Sequence, residues 1–229
     1  MDFTDILHTR QSCRNFDPAR APDEGALREL LEAGRLAPSA CNSQPYHFHV
    51  ARGAAAARVA ALTQGFGMNK FTGQCPCFIV IAQRPYNRSA AVGAKFKRQD
   101  YRLVDIGLAA GNIVSRACEL GLGTCMLGWF DEEGLQKLLG TDARIHLVIA
   151  VGYAAPGDPL REKKRKPLEE LATWVEEEKI SAKLFFRPCG PSLGRGHRDQ
   201  AFYCGEIKNL STCARMFLRK VLTLNLFNR

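Results

Sequence analysis

The chain has 229 residues, of which 46% are apolar and 24% charged, so wholesale disorder is excluded and one well-cored domain is expected. No apolar run reaches the ~18–20 residues that span a bilayer, and the first twenty residues lack the apolar core of a secretory signal, so we expect a soluble, cytoplasmic protein. The net charge of +9 would favour a nucleic-acid partner, but +7 of it lies in residues 183–229, so the nearly neutral remainder makes nucleic acid an unfavoured partner.

The first half of the chain alternates between predicted helices and strands. Periodic apolar residues predict helices, with proline and acids at residues 22–24 suited to a helix start. A continuous apolar run is typical of a strand buried on both faces. In chain order the elements are a helix over 2–9, a helix from 22 through 31, a strand over 46–51, a helix over 54–63 and a strand over 77–82. Residues 84–99 are expected to form only a short polar excursion.

The second half is dominated by the longest predicted helix, over residues 100–120. Its apolar residues cover much of the circumference, so it should be largely buried. Gly107 and Gly111 would let a helix, a partner subunit or a ligand approach its backbone closely. A strand over 124–127, a short helix over 131–140 and a strand over 145–151 follow. This alternation predicts a sheet covered by helices on both faces, whose pairing order the pattern does not determine.

The segment Arg10-Gln-Ser12-Cys-Arg14 is the first candidate site. Alternate residues of an extended chain point the same way, so Arg10, Ser12 and Arg14 would face one ligand. Two guanidinium groups and a hydroxyl suit a phosphate or a polarised carbonyl. An ordinary solvated loop is the alternative, because this spacing is common by chance.

A polar loop between Ala37 and Tyr46 is the second candidate. Pro38 and Pro45 stiffen it, while Ser39, Asn42, Ser43 and Gln44 offer neutral hydrogen-bonding groups. Such a loop can bind the edge of a heterocycle, and a simple polar turn is an equally good interpretation.

Two further motifs are ambiguous. The run from Gly121 through Gly123 begins like a dinucleotide fingerprint, but Met126 stands where the third glycine should be and a strand follows, so a Rossmann site is not indicated. Residues 161–166 contain five cations, which could be a solvated basic run, a nuclear import signal or part of a phosphate clamp.

The nine cysteines do not indicate a metal site. None forms a C-x-x-C pair, so neither a zinc ribbon nor a thioredoxin-like motif is supported. An odd count without a secretory signal fits reduced thiols. We therefore expect no metal.

Taken in order, six segments resemble the nitroreductase-like family of FMN-dependent oxidoreductases, over roughly residues 2–175. Each segment alone is weak, but their common order is hard to explain by chance. They are Arg-Gln-Ser-Cys-Arg-Asn-Phe at 10–16, the loop at 37–48, Met-Asn-Lys-Phe at 68–71 before the Cys-Pro-Cys strand, Asp-Ile-Gly at 105–107, Gly-Leu-Gly-Thr-Cys-Met-Leu-Gly at 121–128, and Gly152-Tyr153 leading to the Lys/Arg-Pro stretch.

The resemblance implies an α+β fold, built as three α/β/α layers around a central mixed, mainly antiparallel sheet. It also implies an intertwined homodimer with two FMN sites at the subunit interface. Residues 1–182 would be the FMN-binding domain. Residues 183–229 would be a basic C-terminal extension, poorly ordered and incidental, or alternatively a partner-binding element. We expect truncation after Lys183 to leave FMN binding intact.

The same resemblance assigns cofactor-binding roles to twelve residues and no catalytic or metal role to any. The phosphate clamp would be Arg10, Lys163 and Arg165, with Ser12 and Arg14 near the phosphate–ribityl chain and the pyrimidine end. The partner subunit would line the flavin ring with Pro38, Ser39, Asn42 and Gln44. Asn69 would bind the ribityl or pyrimidine edge, and the backbone around Leu127 and Gly128 would approach the N5 side of the ring.

The implied activity is hydride transfer from NADH or NADPH to FMN and then reduction of a small oxidised acceptor, such as a nitro compound or quinone, by a ping-pong mechanism. Other interpretations remain open. The flavin could serve another reaction, such as dehalogenation or dehydrogenation. The protein could also be non-catalytic, and bind flavin or, through its basic residues, nucleic acid.

Overall fold

The computed structural model describes residues 1–175. One compact unit spans Met1–Lys166 and contains every strand of the described chain, and a second unit begins at Pro167. Of this second unit only residues 167–175 are described, with one short helix, Leu168–Leu171. The predicted domain boundary at residues 182 and 183, and the predicted basic extension, lie outside the described residues and stay predictions.

Four antiparallel strands form the sheet, in the order β1-β2-β4-β3. Their bounds are β1 Tyr46–Arg52, β2 Cys77–Gln83, β3 Gly123–Leu127 and β4 Ile145–Gly152. The two continuous apolar runs occupy the centre, and residues 78–82 of β2 are fully buried, because helices cover both faces. An isolated parallel bridge joins Ser12 to Thr124. The α+β fold with an antiparallel sheet confirms the expected fold class, and the only parallel pairing in residues 1–175 is that bridge, in which Ser12 lies outside the four strands.

Helices pack on the two faces of the sheet and create two apolar cores. On one face α2 and α5 pack against β2, where Leu30 and Ile113 meet Ile79. On the other face α3 and α6 bury Val59 and Leu135 with Val80. The helices of the described chain are α1 Phe3–Thr9, α2 Glu24–Arg35, α3 Ala54–Thr63, α4 Arg88–Lys97, α5 Arg102–Glu119, α6 Glu132–Leu139 and α7 Leu168–Leu171. None of them is both long and apolar enough to cross a bilayer.

Two expectations about the region before and within α5 are wrong. Residues 84–99 contain the helix α4, whose first turn is capped by the Asn87 side chain accepting a hydrogen bond from the Ala90 N–H at 2.9 Å. The long helix α5 is buried only on one side of the single chain, because Leu103 and Leu108 remain 57% and 43% exposed. A β-carbon added at Gly107 or Gly111 would meet no atom within 4 Å. A small-residue, apolar stripe of α5 is thus open in the single chain.

Candidate functional site

The cationic segment of residues 10–14 lies along β3. The Cys13 N–H donates to the Thr124 carbonyl at 2.8 Å, in the parallel bridge that joins this segment to the strand. Cys13 is only 2% exposed, whereas Arg14 is exposed and Arg10 and Ser12 are half-buried. Cys13 thus points inward between Ser12 and Arg14, but Gln11 is half-buried like Arg10 and Ser12, so the alternation expected of an extended segment shows at Cys13 only.

Arg10, Ser12 and Arg14 all influence the Cys125 thiol of β3. Burial raises the pKa of this thiol, and the charge of Arg14, a hydrogen bond with Ser12 and the charge of Arg10 act in the opposite direction. That the three side chains face one ligand stays a prediction.

The segment after β4 returns to the same place and is fastened to residues 10–12. Gln11 makes two of the contacts, donating to the Pro159 carbonyl at 3.0 Å and accepting from the Arg161 N–H at 2.9 Å. The Arg161 guanidinium donates to the Ser12 carbonyl at 2.9 Å. The Lys163 ammonium donates to the Arg10 carbonyl. Two segments about 150 positions apart in the chain are therefore joined into one cationic surface.

This surface, formed by Arg10, Lys163 and Arg165 and called the cation cradle below, concentrates positive charge. Partial burial lowers the pKa of Lys163, and the charges of Arg10 and Arg165 lower it further. Within residues 1–175, none of the three cations forms an ion pair with a carboxylate. A group of cations held close against mutual repulsion is chemically suited to a phosphate dianion, which would neutralise it.

The polar loop Ser39–Gln44 is tightly fixed by its own side chains. The Ser39 hydroxyl accepts the Gln44 N–H at 3.0 Å, and the Gln44 amide donates to the Asn42 side-chain oxygen at 2.9 Å. Three non-glycine residues are left-handed, with φ of 50° at Cys41, 51° at Asn42 and 46° at Gln44. Such conformations are rare and costly, and they persist only where the surroundings enforce them. Pro38, Asn42 and Gln44 remain exposed.

Within residues 1–175, no hydrogen bond or ion pair links the loop residues Ser39, Asn42 and Gln44 to Arg10, Lys163 or Arg165. The sequence-based expectation that the loop serves the partner subunit stays a prediction.

Asn69 lies beside the end of β3. Its backbone is left-handed, with φ of 50°, and its amide donates to the carbonyls of Thr63 and Trp129, both at 3.2 Å. Leu127 is buried at the end of β3, and the adjacent Gly128 is exposed, with open space where a β-carbon would stand. Asn69 thus holds the backbone one residue after the exposed Gly128, through its hydrogen bond to the Trp129 carbonyl.

An exposed aromatic pair beside Gly128 was missed by the sequence analysis. Phe66 is 97% exposed and makes an edge-to-face contact with Trp129, at 5.9 Å between ring centroids. The Trp129 indole is fixed by donating to the Gly65 carbonyl at 3.0 Å. The sequence offered one signal for this pair: a large aromatic residue, Trp129, directly follows a predicted strand and Gly128.

Cysteines form no metal site in the part of the chain that the structure describes. No group of three His, Cys, Asp or Glu side chains there is arranged to hold a metal ion. The described cysteines are free thiols, and burial raises the pKa of Cys75 to about 12 and that of Cys77 to about 11, so both are protonated near neutral pH.

Comparison with known proteins relates this chain to one family. The sequence profile described as "Nitroreductase family" matches residues 7–66 and 54–153, well over half of the chain. The oxygen-insensitive NADPH nitroreductase of Helicobacter acinonychis is 24% identical, over 74% of this chain and 95% of its own length.

Solved structures share the fold. A nitroreductase family protein from Streptococcus pneumoniae superimposes with a TM-score of 0.64 at 22% identity, covering 76% of this chain and all of the other. An Exiguobacterium sibiricum protein solved in complex with FMN has a TM-score of 0.64 at 19% identity, covering 76% of this chain and 98% of the other. At these identities the likeness is one of fold.

Proposed function

The chain belongs to the Nitroreductase family, and from that premise we propose that it is an FMN-dependent oxidoreductase. It takes hydride from NADH or NADPH and passes the electrons to a small oxidised acceptor, such as a nitro compound or a quinone. A relative named as an NADPH nitroreductase and a fold neighbour solved with FMN support both the activity and the cofactor.

The observation that carries this proposal is the cation cradle. The charges of Arg10 and Arg165 act on Lys163, whose ammonium donates to the Arg10 carbonyl, and within residues 1–175 none of the three cations is paired with a carboxylate. The donor set is one ammonium and two guanidinium groups, which bind phosphate through charge-assisted hydrogen bonds. The residues present therefore fit the phosphate of FMN.

The neighbouring side chains fit the rest of the cofactor. Ser12 and Arg14 belong to the same segment as Arg10, and Ser12 would offer a hydroxyl for the ribityl chain. Arg14 places a fixed positive charge toward the pyrimidine end, which favours the reduced, more negative cofactor. FMN supplies the hydride chemistry when bound, so this chain needs no acid, base or nucleophile of its own.

The second half of the site is donated by another copy of the chain. The loop Ser39–Gln44 is held by its own hydrogen bonds, and its exposed Asn42 and Gln44 offer neutral amides that suit the edge of a flavin ring. The open stripe of α5, with Gly107, Gly111, Leu103 and Leu108, provides an apolar surface for close contact between two copies. A homodimer would thus complete two sites at once.

The acceptor and the nicotinamide use the same open face in turn. Gly128 has no side chain, so the backbone at the end of β3 is exposed. The aromatic pair Phe66 and Trp129 lies next to it. Aromatic faces favour planar ligands, so planar oxidised acceptors fit this side best. One site used by two substrates in succession gives ping-pong kinetics.

Purified full-length protein tests the proposal directly. We expect it to bind added FMN, to lose the visible flavin absorbance when NADH or NADPH is added without oxygen, and to regain it on addition of menadione or nitrofurazone. Protein that folds but does not bind FMN contradicts the proposal. Bound flavin that neither nicotinamide reduces supports another flavin reaction or a purely binding role.

A further inference from the structure

A buried carboxylate holds the loop that the proposed function assigns to the flavin ring. Asp105, in the first turn of α5, is only 3% exposed, and its Oδ1 accepts a hydrogen bond from the Ala40 N–H at 3.1 Å. Ala40 opens the turn that presents Asn42, and it follows Ser39, which is extended. The contact joins two segments 65 positions apart.

This carboxylate is unusual because it is only half satisfied. Within residues 1–175, its Oδ2 is buried and has no hydrogen-bond partner. A buried charged group normally costs free energy unless all its oxygens find donors. Its influence reaches Tyr46, just after the loop, since burial raises the pKa of that phenol and the charge of Asp105 raises it further. A costly group kept at this position points to a role in fixing the loop rather than in stabilising the fold.

The opposite side of the loop is held independently. The Asn87 amide donates to the Cys41 carbonyl at 2.9 Å, and the Asn87 N–H donates to the Ser43 hydroxyl at 2.8 Å. These contacts fasten the middle of the loop, whereas Asp105 fastens the Ala40 N–H, near its start, from α5. The left-handed residues that follow are oriented from that point.

We propose that Asp105 is a positioning residue for the flavin, acting through the Ala40 N–H to hold the Ser39–Gln44 loop ready to bind the ring. This inference rests on the proposed function. It assigns to Asp105 no contact with the cofactor. The loop requires the hydrogen-bond acceptor Oδ1 of Asp105 and does not require its negative charge.

The Asp105→Ala and Asp105→Asn variants separate acceptor from charge. Asp105→Ala leaves the Ala40 N–H unpaired and should weaken FMN binding about tenfold or more, as measured by quenching of FMN fluorescence on titration. Asp105→Asn keeps an oxygen for Ala40 and removes the unpaired charge, so it should bind FMN within about twofold of the parent chain. Equal affinity in Asp105→Ala and the parent chain, or equal loss in both variants, would overturn the proposal.

The Ala40→Pro variant tests the same bond from the loop, even if Asp105→Ala does not fold. Proline is tolerated here, since Ala40 begins a helical turn and the preceding Ser39 is extended, with φ −146° and ψ 154°. Removing the donor should weaken FMN binding about as much as removing the acceptor, and the two changes together should cost no more than one. Fully additive losses, or unchanged binding in Ala40→Pro, contradict the proposed bond.

Asp23→Ala is the matched control. Asp23 also accepts a backbone N–H, from Ala26 at 2.7 Å, but it caps α2 instead of touching the loop. This variant should lose stability while keeping its FMN affinity, which separates positioning from general stability. If the parent chain itself does not bind FMN, the proposed function fails. If the parent binds and Asp105→Ala binds equally well, only the role of Asp105 fails.

Discussion

Gly123 lies so close to Cys13 that a β-carbon on Gly123 would stand 2.9 Å from both the Cβ and the Sγ of Cys13. Real β-carbons essentially never approach other atoms this closely, so a side chain at 123 would push the cationic segment away from β3. The hydrogen bond from Cys13 to Thr124 depends on that approach. The attachment of the cationic segment to β3 therefore depends on a residue without a side chain.

The Gly123→Ala variant should lose about 1–3 kcal/mol of unfolding free energy, because the added methyl overpacks a fully occupied contact. It should also bind FMN more weakly, since Arg10 would shift. Denaturant unfolding and FMN titration measure the two effects. Gly93→Ala is the control: it lies within α4 with nothing within 4 Å of its β-carbon position, and it should gain up to about 1 kcal/mol. Unfolding of Gly123→Ala at the parent's denaturant midpoint would contradict the expectation.

The Arg10→Ala variant should weaken FMN binding by about 1.5–3 kcal/mol, the usual contribution of a hydrogen bond to a charged group. The folded state should be little affected, because no carboxylate is paired with this guanidinium in the described chain. Arg58→Ala removes the same charge from the exposed side of α3 and should leave binding unchanged. Equal FMN affinity in the two variants would remove Arg10 from the cradle.

Strands and helices whose regularly spaced apolar residues are buried in the core were predictable from the sequence. The apolar run at 77–82 became the buried central strand β2, and the sequence analysis placed the other strands and the long helix within a few residues. Helix α4 was missed because its sequence has no apolar stripe, and Val92 and Phe96 in it are 71% and 82% exposed. The open side of α5 was misjudged because apolar residues there predict burial without saying whether their own chain provides it.

The candidate site was predictable only where its residues are close in sequence. The alternation of Arg10, Ser12 and Arg14 is a local property of the sequence, and all three influence the pKa of Cys125. Arg161 and Asp105 could not be identified in the same way. The contact of Arg161 with Ser12 spans 149 positions, and that of Asp105 with Ala40 spans 65. Such pairs exist only once the fold has brought the segments together.

Binding of FMN should weaken as the pH rises, because of Lys163. Burial and the charges of Arg10 and Arg165 lower the pKa of Lys163 below its usual value in the free protein. A bound phosphate would raise this pKa, so the complex holds more protons than the free protein, and affinity falls as the pH rises through the lowered pKa. Titrations with FMN between about pH 7 and pH 10 at constant ionic strength measure this.

The Lys163→Arg variant is the control for that pH dependence. Its guanidinium stays charged throughout the range, so the fall in affinity should be greatly reduced. A fall of the same size in Lys163→Arg and the parent chain would assign it to another group and contradict the role of Lys163.

If the loop of one chain completes the cation cradle of its partner, two variants that each fail to bind FMN should recover FMN binding when they form a mixed dimer. One chain has Arg10→Ala and an intact loop, and the other has Asn42→Ala with Gln44→Ala and an intact cradle. In the mixed dimer one site combines both defects, while the other combines the intact cradle with the intact loop. Unfolding and refolding the two chains together should therefore recover high-affinity FMN binding that neither chain has alone. If the loop instead acted on its own chain, every site in the mixture would keep one defect, and mixing would recover nothing.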